Sequence, residues 1–245
     1  SRTGRALLLK DARVFWRDPA QWTQFAVFFA LLCIYVLNLR NVAYDFTSEF
    51  WTTLISHMNL AASSLTLSTL TTRFVFPQFS LEGRRLWILG MAPAGLPAVL
   101  RIKFWAGFSA AAAVTLPLTT LSGLILNLGW LRIAVFNGTM LAIGAGLTGL
   151  AVGLGALYPN LREDNPAKIV SGFGGTLCLV ASFVFLLAVL FLVALPDILR
   201  FTRGVPLDRL PALRLGAFGA AALVALATAW IPLVAARARV KSLEF

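Results

Sequence analysis

Six stretches of this 245-residue chain contain no Asp, Glu, Lys or Arg: approximately 20–39, 50–72, 104–128, 133–157, 169–195 and 215–236. Each is as long as, or longer than, the roughly 20 residues an α-helix needs to cross a hydrocarbon core. Lipid offers no partner to a bare peptide group, so such runs must be helices that close their own backbone hydrogen bonds. The expected fold is therefore all-α and integral to a membrane, with six transmembrane helices. Only 13% of the residues are charged, and the segments between the runs are too short to bury a core of their own.

The second run, FWTTLISHMNLAASSLTLSTLTT, is the odd one. It is rich in hydroxyls and is stable in lipid only with its polar face turned to other helices or to water. Thr52, Ser56, Asn59, Ser63, Thr66, Thr69 and Arg73 recur at steps of four and three and make one polar stripe. The stripe can line a route for a polar or amphipathic solute, with Thr52, Ser56, Asn59, Ser63 and Thr66 as its lining, or it can serve hydrogen bonding between helices. In the fourth run Ala145, Gly149 and Gly153 form a small-residue face for close packing. Pro117 predicts a kink in the third.

Ahead of the first run, residues 1–18 are too charged to span. Leu8, Leu9, Ala12, Phe15 and Trp16 share one helical face, with Lys10, Arg13 and Arg17 away from it. That pattern suits a helix lying in the headgroup plane. The rest, 19–245, is expected to form one six-span domain. With the N-terminus cytoplasmic, fifteen of the 21 Lys and Arg fall on the inner side and six on the outer, which predicts both termini inside. Four of the six lie in 200–214. There Pro196, Pro206 and Pro211 break an otherwise apolar stretch, which is expected either to dip into the interface before the sixth span or to form a hydrated loop.

The net charge of +11 flanks the apolar runs, where anionic headgroups explain it, so no nucleic-acid partner is expected. Cys33 and Cys178 stand alone in apolar runs, without a CxxC or Cys/His cluster, and no metal site is indicated. All ten acidic residues lie outside the six runs. Ion-coupled transporters commonly keep an ionisable group near midplane, so their chemistry is not expected here. Neither HExxH nor GxSxG occurs, and no catalytic residue is assigned. His57, the only histidine, lacks an acidic neighbour in sequence and is expected to make a polar contact between helices. No GxxxxGK[ST] occurs either, so the chain is expected to bind no cofactor itself, and any nucleotide hydrolysis belongs to another polypeptide or another part of this one.

One charged interruption remains. In FSLEGRRLWILGMAPAG, Ser80 can cap a helix from Leu81, Glu82 complements its positive end, and Gly90 with Pro93 can stop it. On the same side lies YPNLREDNPAK, with Arg162, Glu163 and Asp164 in succession. The series KDARVFWRDPAQW (10–22), FPQFSLEGRRLWILGMAP (76–93) and LYPNLREDNPAKIVSGFGG (157–175) resembles the membrane-spanning permease of ATP-binding cassette exporters of the type-2 class, and most closely a bacterial branch of it.

The resemblance implies a six-span permease of the bacterial inner membrane with an N-terminal interfacial helix, a cytoplasmic coupling helix between spans two and three, and short re-entrant helices before span six. It also implies a second permease half, by homodimer or pseudo-dimer, and a cassette ATPase subunit that holds the ATP and magnesium. By carry-over, Ser80, Glu82, Arg84, Arg85 and Trp87 belong to the helix that meets the ATPase, and Arg162, Glu163 and Asp164 share its face. Two-halved members of this branch make the C-terminal half of a longer chain one expectation for a sequence starting at Ser1. Headgroup anchoring is the other use of the charged helix. A channel or facilitator without an ATPase, and a membrane scaffold or enzyme, are the alternative functions.

Overall fold

The computed structural model describes residues 48–85, 95–204 and 206–241, together with Lys10, Arg13, Trp16, Arg17, Pro19, Trp22, Thr23, Gln24, Ala26, Val27, Phe29, Ala30, Leu31, Cys33 and Ile34. All of the described positions before residue 35 are helical. The remainder of the expected interfacial helix and of the first run lies outside the described residues.

Helix α1 (Glu49–Leu70) starts at Ser48, whose side chain accepts the Trp51 N–H. It passes into a π-helical turn, Thr71–Val75, and two 3-10 segments, Phe76–Gln78 and Ser80–Arg85. Helices α2 (Gly95–Ile125) and α3 (Trp130–Leu157) form an antiparallel pair. A short α4 (Pro166–Ser171), capped by Asn165, leads into α5 (Phe173–Arg203), and a 3-10 turn at Leu207–Arg209 leads into α6 (Leu210–Lys241). There is no strand among the described residues. Four of these helices, α2, α3, α5 and α6, are long and apolar enough to cross a membrane. Helix α1 matches the polar second run.

Two stacked apolar layers hold the bundle together. One gathers Leu60, Leu67, Met140, Ile143, Leu147, Phe185, Leu186, Val189, Ala221 and Ala225. The other gathers Phe76, Phe79, Leu96, Leu100, Ala151, Val152, Ile169, Cys178, Ala236 and Val240. The second layer contains the start of α2, the ends of α3 and α6 and the segment after α1, and so defines one end of the molecule. Helix α3 is the central element. The expected small-residue face lies here against α6: a Cβ on Gly149 would stand 2.6 Å from Ala229 Cα, and one on Gly153 2.5 Å from Pro232 Cβ. Large apolar side chains such as Val180, Phe183, Val184 and Leu187 on α5 remain exposed, as surfaces facing lipid do.

Two expectations need correction. Pro196 does not break the chain. Helix α5 continues through it to Arg203 and ends at Gly204, whose φ of 60° supplies the left-handed cap. In a helix packed against neighbours, the backbone group freed by proline is tolerated more readily than in water. Pro211 is the second residue of α6, where a ring in the first turn costs little. The described link between the two helices is thus a short turn and not a re-entrant pair. Pro117, where a kink is expected, lies inside helix α2.

Candidate functional site

Charged and polar side chains collect at both ends of the bundle. At the end defined above, Ser80 is buried and its Oγ accepts the Asn160 N–H at 3.0 Å, tying the 80–85 segment to the 158–165 loop. Ser80 therefore does not cap its own helix as expected. The helix itself is a 3-10 segment to Arg85, broken at Gly83 (φ 50°, ψ −133°), a conformation that favours glycine.

That break turns Glu82 inward. Its carboxylate, 8% exposed, accepts from Lys10 Nζ at 2.6 and 2.7 Å and from Lys103 Nζ at 2.9 Å. Lys103 lies within α2 and is only 2% exposed. Burial by itself would raise the Glu82 pKa, but the nearby Lys103 charge and the hydrogen bonds from both lysines outweigh it. The carboxyl is held below its ordinary value of 4.5. Removing one member of such a buried pair leaves an uncompensated charge, the costly case.

The remaining residues carried over from the resemblance lie around this brace. Arg162 and Asp164 are exposed and Glu163 half-buried, with Lys168 Nζ 3.7 Å from Glu163, a surface pair of small energetic weight. Arg84 and Arg85 close the described segment; their side chains, and Trp87, lie outside the described residues. On the polar stripe, Ser56, Asn59 and Ser63 are buried and Thr52 and Thr66 half-buried. Asn59 Nδ2 donates to Ser122 Oγ on α2, whereas Ser56 and Thr66 donate back to carbonyls one turn earlier.

The other end holds a constellation that sequence reasoning missed. His57 Nε2 stands 3.6 Å from Asp197 Oδ2, and Arg214 donates to Asp197 Oδ1 at 2.6 Å. Glu49 takes a two-pronged bond from Arg200, with Arg132 at 3.7 Å. The apolar runs still contain no Asp, Glu, Lys or Arg, but the helices extend beyond them and so carry Lys103, Arg132, Asp197, Arg200 and Arg214 within their length. Asp197 falls inside α5 because the helix outlasts Pro196. His57 does have an acidic partner, 140 positions away in sequence and brought near by antiparallel packing. The signal was depth: His57 lies two turns in from Glu49, and Asp197 about one turn in from Arg200. The group borders a cavity of about 290 Å³ between α1, α3, α5 and α6.

A family model described as "Putative ATP-binding cassette" matches residues 1–245. The chain belongs to that family. This ATP-binding cassette family is related to ABC transporters, and the apolar helices mark this member as a membrane protein. The family description names an ATP-binding unit and not a permease, while this member's sequence contains no GxxxxGK[ST]. Comparison with the curated proteins and with the solved structures gave no match.

Proposed function

We propose that this chain is the permease of an ATP-driven exporter in the bacterial inner membrane, working by alternating access with both termini cytoplasmic. The observation that carries the proposal is the brace at Glu82. A short charged segment at one end of an apolar bundle is fastened to Lys10, to α2 through Lys103 and to the 158–165 loop through Ser80. A push on that segment passes directly to α2 and to the N-terminal helical residues, as a coupling element requires. Family membership and the missing nucleotide-binding motif support a separate ATPase subunit that holds ATP and magnesium.

In this scheme Ser80 and Glu82 stiffen the segment from within. Arg84, Arg85, Trp87, Arg162, Glu163 and Asp164 form the outward contact with the ATPase, and a second permease half completes the pathway. The stripe of Thr52, Ser56, Asn59, Ser63 and Thr66 serves that pathway when the halves rock apart. No residue of this chain performs covalent chemistry.

Affinity purification from native membranes tests the scheme. A cassette ATPase should co-purify with the intact chain and be lost from the Arg84→Glu, Arg85→Glu double variant, because reversing two charges at an interface is repulsive. Downhill flux by the isolated chain in liposomes, with no ATPase recovered, would instead establish a facilitator.

A further inference from the structure

We infer that the cavity between α1, α3, α5 and α6 is a binding site for a single-chain amphiphile with an anionic headgroup, a carboxylate or a phosphate. The inference concerns binding to this chain alone and stands whether or not the chain is a permease.

The walls give the tail its place. Leu131, Val135, Phe136, Val193, Leu215 and Phe218 line the cavity. Its volume of about 290 Å³ lies at the lower edge of ligand pockets, typically 300–1,000 Å³. That accommodates one short alkyl chain and is too small to take both chains of a phospholipid.

The polar rim selects the headgroup. Both carboxylates nearby are already engaged: Asp197 by Arg214 and Glu49 by Arg200. Among the described residues, the polar partner of Arg132, which lines the cavity, is Glu49 at 3.7 Å. Its guanidinium keeps unused donors that match carboxylate or phosphate oxygens. Arg132 also sits in the first turn of α3, whose N-cap Gly129 offers no side-chain acceptor, so the positive end of that helix is uncapped at the same rim. Thr53 lines the cavity at 6% exposure, and its buried Oγ1 has no hydrogen-bond partner among the described residues. A cationic amphiphile would find both carboxylates already engaged and would lie against the Arg132 guanidinium.

The full chain in nanodiscs of zwitterionic lipid, labelled with a photoreactive diazirine decanoate and mapped by mass spectrometry, provides the test. Labels should fall on α3 and α5 around Val135 and Val193. Decanoate and decyl phosphate should compete, and decanol and decyltrimethylammonium should do so at least about tenfold more weakly, equivalent to about 1.4 kcal/mol. Arg132→Gln should weaken labelling by a similar factor, and Val135→Trp, which fills the cavity, should abolish it while the protein keeps its unfolding midpoint. Equal competition by decanol, full competition by anionic phospholipid, or unchanged labelling of Arg132→Gln and Val135→Trp would each overturn the assignment.

Discussion

Glu82 shows how much depends on one side chain. It brings a negative charge to Lys103, a lysine buried to 2% exposure within α2. Glu82→Gln preserves the shape and removes the charge, and should lower stability by about 3 kcal/mol, the cost of breaking a buried pair. Chemical unfolding in a mild detergent measures it. The pH dependence has a definite sign. Because the folded carboxyl titrates below its ordinary 4.5, its contribution is complete above that value and is lost as pH falls through the folded one. The stability gap between wild type and Glu82→Gln should therefore be constant at neutral pH and close in the acid range below 4.5. The sequence announced Glu82 as important but aimed it outward. A helix was assumed through Gly83, whereas the backbone kinks there at a positive φ.

At the scale of elements, the contact of α3 with α6 decides how closely the bundle packs. Gly149 and Gly153 face backbone and a proline ring at distances no Cβ can occupy, whereas Gly216 and Gly219 on α6 have nothing within 4 Å. Gly149→Ala or Gly153→Ala should each destabilise by about 1–3 kcal/mol through overpacking. Gly216→Ala should be neutral or stabilise by up to about 1 kcal/mol, from the lower helix propensity of glycine. Unfolding midpoints of the three variants make the comparison. This face was legible because spacing alone fixes which residues share a side of a helix. The extent of α5 was not. Proline is a reliable stop signal for an isolated helix in water, and nothing local in LPDILR reveals that neighbouring helices carry α5 past Pro196 to Arg203.

For the whole molecule, the order of the apolar runs placed α1, α2, α3, α5 and α6 in sequence, because the hydrocarbon core demands such runs, but α2 begins nine residues before its run, α5 ends eight residues after, and α4 has no run of its own. What they could not give was pairing across the sequence. His57 with Asp197, and Glu49 with Arg200, are neighbours only because α1 and α5 run antiparallel. The same arrangement predicts opposite exposure of the two ends. With Cys33 and Cys178 replaced, a single cysteine at Arg162 should react with a membrane-impermeant maleimide only from the cytosolic face, and one at Leu131 only from the outer face. Labelling of both from one face would remove the basis for the proposed orientation.

The bridge at Glu82 also carries a timetable. One of its lysines lies 72 residues upstream and the other 21 residues downstream. A ribosome therefore delivers the acid with its first counter-ion already made and its second still to be translated. Segment 80–85 cannot lock until α2 has followed it out, and insertion of that helix is the event that sets the latch.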